Sequence, residues 1–324
     1  MDQGLIDDIK QCLIEGKITS NTDGLQVEQL EGGISCTVWK TSLPRGSWVF
    51  KQALGKLRVE ADWFSDIERI HREHEVMEAL YKLMPKGTIP KVVCTNYDKH
   101  FFLMDYVEAS QTWKEDLFKE NFVVAVAEQA ARVLRNIHEG SMNIPKSEQA
   151  KFSDQEYFVQ LRINPFHRFL VQKYPELLPS IENLIDELTM RKTCLVHGDF
   201  SPKNMLVDKK GNLIILDFEV AHWGNPVFDL AYCIGHLMLK GWYLANPAGA
   251  LRLIEAFLET YGKKTDPLIP HLGLMLLARI DGKSPVNYIT DDNLKNKIRR
   301  IAIEWIKKDG SADALENICI ALAS

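Results

Sequence analysis

Asp199, Asn204 and Asp217 fall in one short run, HGDFSPKNMLVDKKGNLIILDFEVAHWGNPVFDLA, between His197 and Ala231. Two carboxylates and an amide offer oxygen donors, which hard divalent cations prefer. A carboxylate beside such a cation suits phosphoryl transfer, which needs metals, positioned phosphates and an oriented hydroxyl more than covalent chemistry. Met205, Leu206 and Val207 form one apolar run and residues 213–216 another, with DKKGN between them. Gly211 and Asn212 are turn residues, so the stretch reads as a β-hairpin. A turn centred on Lys210 and Gly211 without a bulge sets Asn204 opposite Asp217. Opposed residues lie ~5 Å apart, close enough to share a cation. Asp199 sits in the loop feeding the first strand and is the candidate base rather than a ligand. Each of these residues alone is a common turn or cap; their joint spacing, followed by a second acidic turn at Asp229, is the specific signal.

A hairpin of this kind needs a frame. The chain has 324 residues, 46% of them hydrophobic, enough for one large domain or two lobes. The character of the sequence changes near residue 107. Strands are expected at residues 25–30, 36–41, 47–54, 91–96 and 101–105, interrupted by one helix over residues 67–83. Beyond the change, helical patterning dominates. Phe122, Val126, Ala130, Val133 and Ile137 make a stripe that Gly140 ends, and Asn246 with Pro247 opens a helix running to Tyr261. Two more helices are expected at residues 268–280 and 294–308.

The first half offers groups suited to a bound anion. In EGGISCTVWK, Gly32, Gly33 and Ser35 lie between strand runs, where glycines let main chain approach phosphates closely. In SWVFKQAL, alternation puts Val49, Lys51 and Ala53 on one face and Trp48 and Phe50 on the other. Lys51 then lies on a solvated face or reaches a buried anion. On the helix, Glu73 interrupts the apolar series Ile70, Met77, Leu80. A carboxylate on a buried face is costly unless paired, and Lys51 is its natural partner. A rotated helix would turn His74 or Glu75 inward instead.

The net charge of −5, with acids and bases interspersed, argues against nucleic acid or a membrane surface as partner. No apolar run is long enough to span a bilayer, and the acidic N-terminus is unlike a signal peptide. The six scattered cysteines, with no C-x-x-C pair, read as reduced thiols of a cytoplasmic protein.

The run from His197 resembles the catalytic and metal-binding segments of the aminoglycoside phosphotransferase and choline kinase superfamily. That resemblance implies an α+β, bilobal, protein-kinase-like fold with a small antiparallel-sheet N-lobe and a larger helical C-lobe. Residues 1–107 would form the nucleotide-binding lobe with its hinge, and 108–324 the catalytic and acceptor-binding lobe. It implies ATP and Mg²⁺ as cofactors, Asp199 as catalytic aspartate, Asn204 and Asp217 as metal ligands, and Asp229 as a brace for the catalytic loop. Lys51 would contact the α/β-phosphates with Glu73 as its partner, and the Asp105 C=O and Val107 N–H would hold adenine. His197 would pack and hydrogen-bond rather than act as base. FKQALGKLRVEADWFSDIERIHRE, through Lys51, Gln52, Ala53, Leu54, Arg58 and Trp63, also resembles methylthioribose kinases, and LGLMLLARIDGKSP keeps one of their two arginines as Arg279.

A pentose or related sugar is the first acceptor expected, then choline or another amino alcohol, then an aminoglycoside. The last would want acids such as Asp281, Asp291 and Asp292. Trp223, Trp242, Tyr243 and Trp305 line an acceptor pocket or the core; Glu219 meets metal, substrate or its own turn; Arg279 and Lys283 grip the acceptor or remain solvated. The turn after Asp217 is FEV rather than FG and no A-P-E ending follows, which disfavours a protein kinase. The non-enzyme alternative is a pseudokinase binding module.

Overall fold

The computed structural model describes residues 3–30, 34–58, 63–262, 267–308 and 311–324. They form an α+β fold of two compact units: residues 1–108 together with Asp217–Glu219, and residues 109–216 together with Val220–Ser324.

In the first unit, helix α1 (Gln3–Glu15) precedes strands β1 (Gln26–Gln29), β2 (Cys36–Leu43) and β3 (Gly46–Ala53). Helix α2 (Arg69–Tyr81) and strands β4 (Val92–Asn96) and β5 (Phe101–Asp105) follow. The strands make one antiparallel sheet in the order β1-β2-β3-β5-β4. Alternation along β3 decides what lies on each face. Trp48 and Phe50 pack with Ile9, Cys12 and Leu13 of α1 and with Phe101 and Leu103 of β5. Lys51 turns the other way, toward Glu73 of α2. The sequence reading had no α1, and this helix corrects the cysteine reading. It brings Cys12 against β4, where Cys12 and Cys94 form a disulfide across a separation of 82 residues. No spacing rule reveals such a pair, because the contact depends on how α1 packs.

The second unit is mainly helical. Helices Val124–Ser141, Pro247–Tyr261, Leu268–Asp281 and Asp292–Ile306 lie close to the expected bounds. Asn246 accepts from Gly249 N–H as expected of an N-cap, and Gly262 closes the same helix with φ +71°. Helix Val227–Tyr243 is buried along nearly its whole length, packed by the helices Pro247–Tyr261 and Leu268–Asp281. Two small sheets carry the motif: Cys194–Val196 pairs with His222–Gly224, and the hairpin Met205–Asp208 with Leu213–Ile215 takes Ala109–Thr112 as a third strand. Among the described residues no helix is long and apolar enough to cross a membrane.

Candidate active site

The hairpin forms, but one residue out of the expected register. Met205 pairs with Ile215, and Leu216 N–H donates to the Asn204 carbonyl at 2.9 Å, so Asn204 stands opposite Leu216 rather than Asp217. The cause is loop length. Asp208 N–H donates to Asn212 O and Gly211 N–H to Asp208 O, leaving a three-residue loop with Gly211 at φ +81°. That is a type I turn completed by a left-handed residue, not a two-residue turn. Asp217 follows immediately at φ +72°, a left-handed conformation that aspartate tolerates better than most residues and that takes the chain out of the strand.

In the first unit Asp217 meets the expected lysine. Lys51 Nζ lies 2.7 Å from Glu73 and 2.6 Å from Asp217 Oδ1. Burial works against the Lys51 charge, but Asp217 and then Glu73 more than offset it and hold its pKa well above the ordinary lysine range. Burial pushes the Glu73 carboxyl up to about 7, against the pull of Lys51. Ile70, Glu73, Met77 and Leu80 are all buried, so Glu73 does interrupt the apolar stripe, and His74 is buried beside it.

Glu219, a candidate for metal, substrate or its own turn, is placed against Arg69. It is buried, and its Oε2 accepts from Arg69 Nε at 3.0 Å. Arg69 is fully buried, and its remaining donors go to the carbonyls of Ser65, Asp66, Ser35 and Leu54. Every N–H of the guanidinium fork thus has an acceptor. Arg69 ties the start of α2, the end of β3 and the segment after Asp217 into one cluster. The sequence reading missed it, although an arginine next to Ile70 in an otherwise amphipathic helix was a usable signal. Ser35 is buried, and its carbonyl also accepts from Leu54 N–H. Gly32 and Gly33 lie outside the described residues. Asp105 ends β5 opposite Trp48, and the Val107 N–H has no partner among the described residues.

In the second unit the loop that carries Asp199 is held by Asp229. Asp229, fully buried at the start of helix Val227–Tyr243, accepts His197 N–H at 2.7 Å and Gly198 N–H at 2.9 Å. It also meets His138 Nε2 at 3.1 Å, and His138 Nδ1 meets the Tyr261 hydroxyl at 2.9 Å. Burial opposes the Asp229 charge, yet His138 and His197 hold its pKa below the usual carboxylate range. His197 packs and bonds within the loop: Asp199 N–H donates to its Nδ1, and its Nε2 faces Leu216 O at 3.1 Å. Gly198 is required as glycine. Its φ is +77°, and a Cβ there would stand 2.8 Å from Val220 O.

Asp199 is 1% exposed. Its Oδ2 accepts from Asn204 Nδ2 at 2.8 Å and pairs with Arg162 Nη2 at 3.1 Å and Lys203 Nζ at 2.8 Å. Its Oδ1 is buried without a hydrogen-bond partner among the described residues. Burial raises the cost of the charge, but Arg162, Lys203 and Asn204 outweigh it and hold the carboxyl well below its usual range. Asn204 also donates to Asp199 O at 2.9 Å. Arg162 was not anticipated. It comes from Val159–Arg168, a π-helical stretch that contains Pro165 and obeys no ordinary helical period. Its Nε also donates to Gly198 O at 2.9 Å, so one guanidinium fixes both the loop and its carboxylate.

Trp223 is buried in its small strand, and its backbone N–H donates to Phe152 O at 2.7 Å. Arg279 is half-buried, with Nη1 on Ser284 O and its guanidinium 5.3 Å from the Phe166 ring centre.

The chain is similar in fold to spectinomycin phosphotransferase APH(9)-Ia, solved with ADP and spectinomycin: TM-score 0.52, 16% identity, 97% of this chain and 98% of that one. Aminoglycoside phosphotransferase APH(2'')-Ib, solved with ADP, gives a TM-score of 0.51 at 19% identity over 99% and 97%. The choline kinase LicA from Streptococcus pneumoniae, solved with AMP, gives 0.50 at 17% identity over 98% and 97%. No curated protein matches the chain. The model of the phosphotransferase enzyme family matches residues 26–270, a span that holds Lys51, Glu73, Asp199, Asn204, Asp217 and Asp229. As the motif resemblance implied, the chain belongs to that family.

Proposed function

We propose that the protein is an ATP-dependent kinase that phosphorylates a hydroxyl of a small metabolite, a pentose or related sugar, in the cytoplasm. The observation that carries this reading is Asp199, a buried carboxylate with Oδ2 held by three donors and Oδ1 left without a partner among the described residues. An acceptor hydroxyl donates to Oδ1 and is oriented by it. The acceptor oxygen bonds to the γ-phosphorus, the bond from that phosphorus to the β–γ bridging oxygen breaks, and ADP leaves with the electron pair. The hydroxyl proton passes to Asp199. Because Asp199 is held ionised and weakly basic, it orients the hydroxyl first and takes the proton late. Lys51, kept charged by its two carboxylates, supplies the cation for the nucleotide phosphates.

Asn204 and Asp217 fit Mg²⁺ as oxygen donors. Asn204 directs its amide hydrogens at Asp199, which presents the amide oxygen as the donor, and the Asp217 side chain is 20% exposed. When bound, the metal would neutralise charge on the phosphates. The ADP and AMP complexes of the structural neighbours support a nucleotide as co-substrate.

ADP release with ATP and Mg²⁺, measured across pentoses, methylthioribose, choline, ethanolamine and aminoglycosides, is expected to depend on an acceptor. Folded protein that binds ATP but transfers to none of these classes would be either a kinase of an acceptor outside the panel or a pseudokinase. Asp217→Ala should weaken Mg²⁺-dependent nucleotide binding by at least the ~10–100-fold that loss of a mere outer-shell partner costs. Unchanged metal dependence would remove Asp217 from the ligand set.

A further inference from the structure

We propose that the acceptor carries an acidic group, a carboxylate or a phosphate, and that Lys240, Arg279 and Lys114 receive it. The proposal rests on the kinase reading above and names the substrate class of the same site.

Lys240 lies on helix Val227–Tyr243 and is 2% exposed. No carboxylate among the described residues pairs with it. Its Nζ has one hydrogen bond, a long one of 3.4 Å to His236 O, and stands over the rings of Phe118 at 5.8 Å and Tyr288 at 5.6 Å. A buried ammonium without an anion is costly, and such groups are kept where something binds them. Burial, then Lys114 and Arg279, bring the Lys240 pKa down to about 7.

The neighbours share its sign. Lys114 stands over the same Phe118 ring at 5.8 Å, and burial, then Lys203, also depress its pKa. Arg279 has a buried Nε without a partner among the described residues. So have His236 at Nε2 and Tyr288 at its hydroxyl. This patch is continuous with the catalytic carboxylate. Arg162, which holds Asp199, lies over Phe166 at 5.5 Å and Tyr232 at 5.8 Å; Arg279 lies over the same Phe166 ring, and Tyr232 packs edge-on against His236 at 5.0 Å. Asp199, Lys203, Arg279 and Lys240 all bear on the His236 ring. Among the described residues the carboxylates that face these cations are Asp199, engaged by Arg162 and Lys203, and Glu115, which accepts from Thr112. Several unpartnered donors beside one unpartnered acceptor, Asp199 Oδ1, describe a ligand with a hydroxyl at one end and an anion at the other.

A cationic acceptor fits poorly. Phe118, Tyr243 and Tyr288 form an aromatic trio, with ring centres 5.0 to 5.9 Å apart, of the kind that can surround an ammonium. The chain's own Lys240 already covers two of those rings. Asp281 is engaged by Lys173, Tyr174 and Arg299, Asp291 caps the helix Asp292–Ile306, and Asp292 lies near Lys295. Asp281 is thus not left to receive a polycation.

The test uses matched acceptors: glycerol, glycerate and glycerol 3-phosphate; ribose, ribonate and ribose 5-phosphate; and choline. Thermal shift is read without nucleotide on wild type and Lys240→Met. Acidic members should raise the wild-type Tm and their neutral partners should not, with carboxylates and phosphates distinguished by the two arms. Lys240→Met should have the higher Tm of the two free proteins, because a buried ammonium is gone, yet lose the shift. ADP release should show the acidic partner preferred, with its KM raised ~10-fold or more in Lys240→Met. Neutral or cationic compounds giving the larger shift, no compound giving one, or a shift unchanged in Lys240→Met would overturn the proposal. Acid-specific shifts without ADP release from any acceptor would instead overturn the kinase reading and leave the anion site standing.

Discussion

Asp199→Asn is expected to lower kcat by roughly 10²–10⁴-fold, the range that a positioned general base contributes, while ATP affinity changes little. The substitution keeps the shape of the side chain but replaces the acceptor pair with an amide. Oδ1 is the oxygen that has no partner among the described residues, so the hydroxyl loses its only fixed acceptor there. ATP binding should survive because Lys51, Glu73 and Asp217 belong to the first unit and are paired with one another. The pH profile carries a second signature. Since Arg162 and Lys203 hold Asp199 well below the usual carboxylate range despite burial, kcat should show no acid limb in that usual range. Steady-state kinetics with ATP and acceptor varied separately, checked by Tm, decide the matter. Retained turnover would refute the assignment, and an acid limb near the ordinary aspartate value that disappears in the variant would show that Arg162 and Lys203 do not depress the Asp199 pKa.

Asp229→Ala should cost stability rather than chemistry alone, of the order of 3–5 kcal/mol, as removal of one partner from a buried charged network does. The side chain is fully buried and receives the N–H groups of His197 and Gly198 as well as His138. Alanine leaves two buried N–H donors unmatched, each costing ~1–3 kcal/mol. Asp229→Asn should fall between, since one amide oxygen still accepts. The pH dependence has a definite sign. The folded pKa lies below the unfolded one, so the stabilisation is complete above the unfolded value and is lost as pH falls through the folded one. Urea unfolding of wild type and variant at neutral pH and in acid should show the gap narrowing in acid. A gap that is small and independent of pH would show that the loop stands without its brace.

Much of this was legible before any coordinates. The helix Pro247–Tyr261 followed from Asn246 and Pro247, and the Lys51–Glu73 pair from an acidic residue placed in an apolar period. Both signals are local. What escaped was long-range or dependent on parity. The register of the hairpin turned on whether its loop held two residues or three, which a single left-handed glycine decides. Arg162 reaches Asp199 from a π-helix whose Pro165 erases the period that would have announced it. Lys240 carried no signal in the sequence, because burial on every side of a helix is a property of the packing around it. Arg69 and the bond between Cys12 and Cys94 depend on tertiary contacts in the same way.

The Asp217–Glu219 segment has a consequence for how the molecule is made. Lys51 and Arg69, both buried, take their carboxylates Asp217 and Glu219 from a segment that emerges long after β5. At ~5–20 residues per second, the usual pace of synthesis, the ribosome must continue for several seconds past Glu108 before the first unit holds all its charges. Until then the nascent sheet carries two cations with part of their neutralisation missing, a state that favours chaperone capture over early completion. A fragment ending at Glu108 should therefore remain loosely packed, with weak near-ultraviolet dichroism and dye-accessible apolar surface. The native first unit therefore draws on residues up to Glu219 rather than on the stretch before Glu108 alone.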